Sequence, residues 1–185
     1  MTTLTIYHQD KPDVPVSVTT DPVEIRESLA DQGIRFERWP TRDLAADTSA
    51  EDILDSYEAE VDTLKAECGF QTADVVTISA DNPNKEAMRK KFLDEHTHSE
   101  DEVRFFVRGQ GLFYLHFGEQ VYAVLCQQND LISVPDGTRH WFDMGPEPEF
   151  TCIRLFSNPD GWVAEFTGED IASRLPRYET LAGVA

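Results

Sequence analysis

Two short stretches of this chain share the side chains of a metal site, and together they demand a β framework. Residues 96 to 102 read His96-Thr97-His98-Ser99-Glu100-Asp101-Glu102, and a further histidine closes Pro135-Asp136-Gly137-Thr138-Arg139-His140. Successive side chains of an extended strand alternate faces, so His96, His98 and Glu102, all of even number, point the same way if the strand stays regular. On an α-helix His96 and His98 would diverge. Three imidazoles and one carboxylate make a ligand mixture suited to iron, nickel, manganese or zinc. A closed structural zinc site has no vacancy, whereas an octahedral ion held by four protein ligands keeps two positions for substrate or dioxygen. The ligand count leans towards catalysis.

The rest of the chain fits a β scaffold. From about Phe92 onwards, β-branched and aromatic runs are separated by turn residues: Glu102 to Arg108, Leu112 to Phe117, Gln120 to Cys126, Leu131 to Val134 and Phe150 to Phe156. Such spacing predicts a sandwich or barrel of antiparallel strands, with hairpin turns at Gly109-Gln110-Gly111 and Gly118-Glu119. Upstream, strands are expected at Leu4 to Tyr7, Ile34 to Trp39 and Val75 to Ile78. One helix is expected over Pro22 to Gln32, capped by Asp21, and a longer one over Ala50 to Glu67 with Ile53, Leu54, Tyr57, Val61 and Leu64 as its apolar stripe. A short helix is expected over Gly168 to Arg174. The 185 residues suit one domain. Its parts would be a mixed α/β region over about 1–90, a metal-binding barrel over about 91–166, and a helix and tail over 167–185.

The 35 acidic against 16 basic residues give a net charge of −19, which argues against nucleic acid or anionic lipid as partner and favours solubility; a monomer is expected, although nothing in the sequence fixes the oligomeric state. No stretch approaches the ~18 apolar residues of a membrane span, and the first residues lack a basic region with a long apolar run. A cytoplasmic protein is expected. Cys68, Cys126 and Cys152 are scattered and form no C-x-x-C pair, so they read as buried thiols of a reducing compartment.

If Glu102 faces the interior, Arg104 does too, and a buried arginine needs an anion. Arg154 lies similarly within Cys152-Ile153-Arg154-Leu155-Phe156. Two cations reaching one cavity would suit a dianionic, oxygen-rich ligand, with Phe92, Phe142 and Trp162 as candidate walls. The competing roles are a structural ion pair for each arginine and ordinary core packing for each aromatic. His8 and His116 read as ordinary structural histidines.

The two stretches resemble the motifs of the cupin superfamily: His96-x-His98, Glu102 four residues later and Gly109 after six more, then Pro135-x-Gly137-x-x-His140. That resemblance implies a mainly β fold with some α, a double-stranded β-helix or jelly-roll-like barrel with flanking N-terminal helices. Lys90 and Asn129 stand where cupin motifs usually open with glycine, and Met144 where an asparagine often closes the second; none of these is a ligand position. Longer stretches are similar to the bacterial acireductone dioxygenase family of methionine salvage: His96 through Phe117, Asp130 to Pro135, His140 to Gly145, Phe166 to Ala172, and upstream Phe36-Glu37-Arg38-Trp39 and Ala80-Asp81-Asn82-Pro83.

This second resemblance implies one Fe2+ or Ni2+ per chain on His96, His98, Glu102 and His140, with Arg104 and Arg154 orienting the substrate oxygens. The substrate implied is the acireductone 1,2-dihydroxy-3-keto-5-(methylthio)pentene, taken with O2. The iron form would yield formate and 4-methylthio-2-oxobutanoate, and the nickel form formate, carbon monoxide and 3-methylthiopropanoate. Alternatives are another cupin dioxygenase with three histidines and a glutamate, or a non-enzymatic ligand-binding cupin. The latter would normally carry an output module such as a basic helix-turn-helix, and no such segment is evident.

Overall fold

In the computed structural model, residues 1–158 and 163–184 are described. Their elements in chain order are β1 (Thr3–His8), β2 (Lys11–Thr19), α1 (Pro22–Ala30), β3 (Arg35–Arg38), α2 (Ala50–Ser56), α3 (Glu58–Cys68), β4 (Thr72–Ile78) and α4 (Lys85–Phe92). There follow β5 (His96–Thr97), β6 (Glu102–Phe117), β7 (Gln120–Gln127), β8 (Asp130–Val134), β9 (Arg139–Asp143), β10 (Phe150–Phe156), β11 (Glu165–Phe166), α5 (Ile171–Arg174) and α6 (Tyr178–Ala182). One sheet runs β11-β5-β9-β6-β7-β1-β2, and a second runs β4-β10-β6-β8-β3. All these pairs are antiparallel. The architecture is that of a cupin.

The long strand β6 belongs to both sheets, and this corrects the expected hairpin at Gly109-Gln110-Gly111. Its first half pairs with β8 and β10, its second with β7 and β9. No reversal occurs between them. Gly109 instead lies just past a bulge: the register against β10 slips between Thr151 and Cys152, leaving Val107 without a partner, and Gly109, opposite Phe150, takes φ +73°. Turn and bulge ask for the same residue type, so composition alone cannot separate them.

The slip also switches side-chain parity. Before it, Arg104 and Phe106 face the interior while Val103, Phe105 and Val107 pack outward against α2 and α3. After it, Phe113 and Leu115 face the interior, whereas Leu112 and Tyr114 pack against α5 and α6. A Cβ on Gly109 would lie 1.8 Å from the Glu149 carbonyl oxygen. Gly109→Ala is therefore expected to lower stability by about 2–4 kcal/mol, from positive-φ strain plus a backbone clash. Urea unfolding measures it, and an unchanged midpoint would refute the bulge's importance.

Other expectations fare unevenly. Asp21 caps α1 through Val23 and Glu24 amides. The long helix expected over Ala50 to Glu67 breaks at Tyr57 into α2 and α3, yet Ile53, Tyr57, Val61 and Leu64 of its stripe are buried together. Cys126 and Cys152 are buried, but Cys68, at the end of α3, is exposed. Asn129 adopts φ +77°, so a residue tolerant of the left-handed region fills the position where cupins favour glycine. No helix among the described residues is long and apolar enough to cross a membrane.

Candidate metal centre

His96 and His140 face each other across β5 and β9, and His140 in turn pairs with Leu115 of β6. His98 lies just past β5, held where its carbonyl accepts from the Gly137 amide at 2.9 Å. The expected single regular strand is not what aligns these residues with Glu102. Residues 99–101 leave the strand, and Glu102 begins β6 in the other sheet, opposite Val134. The four side chains meet because two sheets meet.

All four are buried. The ligating atoms of His96, His98 and His140 lie within 4.8 Å of one another, and Glu102 Oε2 is 3.0 Å from His98 Nε2 and 3.3 Å from His140 Nε2. Each imidazole also reaches a backbone carbonyl through Nδ1: His96 to Asp94 at 2.7 Å, His98 to Val163 at 3.0 Å and His140 to Thr138 at 2.7 Å. A carbonyl can only accept, so each Nδ1 carries the proton and, in the neutral ring, each Nε2 keeps its lone pair for the centre. Such outer hydrogen bonds are how proteins orient histidine ligands.

Burial, aided by the nearby His140, pushes His96 down to about 4, so its ring stays neutral at ordinary pH. Burial alone would raise Glu102, but Arg104 and the two neighbouring histidines hold it well below the usual carboxylate range. His98 moves the other way: its burial penalty is outweighed by hydrogen bonds to Glu102 and the Val163 carbonyl. A neutral ring at His96 and an ionised carboxylate at Glu102 are the ligating forms. The donor set fits a divalent transition metal.

The cluster opens into a cavity of about 810 Å³, also lined by Arg104, Arg154, Phe92 and Phe142. Arg104 and Arg154 are directly opposed across β6 and β10. Arg104 donates from Nε to Glu102 Oε1 at 2.8 Å and lies over the rings of Phe142, Phe113 and Phe92, at 4.7, 5.7 and 5.8 Å. Arg154 donates from Nε and Nη2 to the two oxygens of Asp74, at 2.8 and 2.6 Å. Trp162, the third expected wall, lies outside the described residues.

Sequence reasoning missed Asp74, Phe156 and Phe166, all of which line the cavity. An acid beside Val75 and Val76 in a strand was the available signal for Asp74. His116, expected to be structural, is buried against Glu95 Oε2 at 2.5 Å, and Glu95 Oε1 accepts from Thr167 at 3.0 Å. This polar group anchors the residue just before His96.

A family model described as ARD/ARD′ matches residues 3–164. An acireductone dioxygenase of Marinobacter nauticus is 72% identical over 185 residues, the whole of both chains. One from Hahella chejuensis is 61% identical over 181 residues, covering 98% of each. Among solved structures, an acireductone dioxygenase from Bacillus anthracis with a cadmium ion in its active centre superposes with TM-score 0.78 at 28% identity, covering 90% of this chain and 98% of that one.

Proposed function

Since this chain belongs to the ARD/ARD′ family, we propose that His96, His98, Glu102 and His140 hold one divalent metal beside which an acireductone is oxidised by O2. The chain is an acireductone dioxygenase. The observation that carries the site assignment is the three imidazoles with Nδ1 engaged by carbonyls and Nε2 converging near an ionised Glu102. Fe2+ and Ni2+ are the ions proposed, one per chain, because both accept this mixture of nitrogen and oxygen donors. Such an ion would supply Lewis-acid stabilisation of the ene-diolate form of the substrate.

The protein's own part is binding and placement. Arg104 and Arg154, opposed across two strands, orient the negatively charged substrate oxygens. Phe92 and Phe142 take the apolar methylthio tail, a role proposed for Trp162 as well. Burial of Glu102 and the histidines keeps water from competing for these groups. We further read residues 1–185 as one domain and, given the net charge of −19, as a monomer. The cytoplasm is proposed because the three cysteines are free thiols.

Stripping the metal is expected to abolish consumption of both acireductone and O2, and one equivalent of Fe2+ or Ni2+ to restore it. Ultraviolet absorbance of the substrate and an oxygen electrode follow the two reactants. Full activity in rigorously metal-free protein would refute the reading. Arg154→Ala is expected to keep metal stoichiometry while lowering kcat/KM by about 10- to 100-fold, the worth of a hydrogen bond to a charged group. Unchanged kinetics with lowered stability would instead assign Arg154 and Asp74 a structural role.

A further inference from the structure

The charges around the cavity do not cancel. Arg104 is matched by Glu102, with 2.8 Å between Nε and Oε1, and Arg154 by Asp74, with 2.6 Å between Nη2 and Oδ2. Lys91 also lines the cavity; it is exposed and, among the described residues, its side chain makes no hydrogen bond or ion pair. It stands at the end of α4, whose sequence Lys85-Glu86-Ala87-Met88-Arg89-Lys90-Lys91-Phe92 is basic in a chain of net charge −19. Of the cations earlier in that helix, Lys85 pairs with Glu147 and Arg89 with Asp143 and Glu179, each at 2.7 Å, while Lys90 lines a separate pocket beside Glu86 and Glu179 and not this cavity. Phe92, the next residue, lies over Arg104. An anion passing Lys91 therefore meets the route to Arg104 and the histidine cluster.

We propose that Lys91 recruits the anionic substrate at the rim of the cavity, acting on association and not on the chemical step. The proposal rests on the acireductone reading, since it needs a substrate that arrives negatively charged. The physical problem it solves is repulsion. A surface with an excess of acids lowers the local concentration of an anion, and a cation at the mouth of a low-dielectric cleft reverses that field where it counts. With a Debye length of roughly 10 Å at 0.1 M salt, a charge on the rim outweighs acids on the far side of the molecule. A purely local role is the competitor: lysine in the last turn of a helix complements its dipole. That role would move stability and leave association alone.

The test uses the metal-loaded enzyme, with Lys91→Glu and the milder Lys91→Gln set against Lys11→Glu. Lys11 is exposed on β2, outside the cavity lining, and its replacement makes the same change in net charge. Lys91→Glu is expected to lower kcat/KM and the anaerobic association rate of acireductone by about five- to tenfold at roughly 20 mM ionic strength, and by less than about twofold at roughly 0.5 M. Lys91→Gln should fall between it and the parent. In both variants kcat at saturation, metal content and Tm should stay near the parent's, and Lys11→Glu should be near-silent throughout. Equal effects from Lys91→Glu and Lys11→Glu, or a loss that salt does not relieve, would overturn the proposal. If the parent enzyme itself fails to turn over acireductone, the functional reading falls instead.

Discussion

His140→Ala is expected to bind less than about a tenth of the parent's metal and to lose at least about a thousandfold in acireductone turnover while keeping its fold. Removing an outer partner of a ligand already costs about 10- to 100-fold in metal affinity or activity, and removing the ligand itself costs more. The backbone has no reason to follow. His140 pairs with His96 on one side and Leu115 on the other through main-chain groups that alanine also possesses. Elemental analysis after gel filtration, circular dichroism and a thermal melt separate loss of ion from loss of structure. His8→Ala, at a half-exposed position remote from the cluster, is the control. Full metal occupancy in the His140 variant with impaired folding would remove it from the ligand set.

Reconstitution with different ions is expected to change the products without any change in the polypeptide. The iron-loaded enzyme should convert acireductone and O2 to formate and 4-methylthio-2-oxobutanoate, and the nickel-loaded enzyme to formate, carbon monoxide and 3-methylthiopropanoate. Three imidazoles and a carboxylate discriminate weakly between these ions, while the substrate offers alternative pairs of oxygens for binding. The arginines and aromatic walls are the same in both forms, so the ion is the variable. Nuclear magnetic resonance of the solution and gas chromatography of the headspace read out every product. The same keto acid from both forms, with no carbon monoxide, would show that this cavity imposes one outcome whatever ion it holds.

The difference between what the sequence contained and what it withheld is clearest at β6. Alternation along Glu102 to Val107 was legible, because successive side chains of a strand point to opposite faces, here both buried. The continuation through Gly109 was not, since glycine serves a reversal and a bulge equally well and the choice depends on which strands lie alongside. The break at Tyr57 was hidden for a similar reason: the apolar stripe runs on across it, and both helices bury their faces in the same core. Strand β2 was overlooked although Val14, Val16 and Val18 alternate, because they remain exposed on an edge and define no buried face.

By itself the sequence determined the identities and spacing of His96, His98, Glu102 and His140, and the apolar and aromatic runs that oblige the chain to form sheets. It also placed Arg104 beside the site, since a residue two positions from Glu102 on a strand must share its face. Tertiary structure alone decided that Glu102 arrives from a different sheet than the histidines, and that Asp74, 80 residues from Arg154, neutralises it. It likewise set Lys91 on the rim of the same cavity. Covalent spacing governs which side chains share a face within a few residues; which faces then meet is settled by how β4, β10 and α4 dock, and no local pattern encodes that.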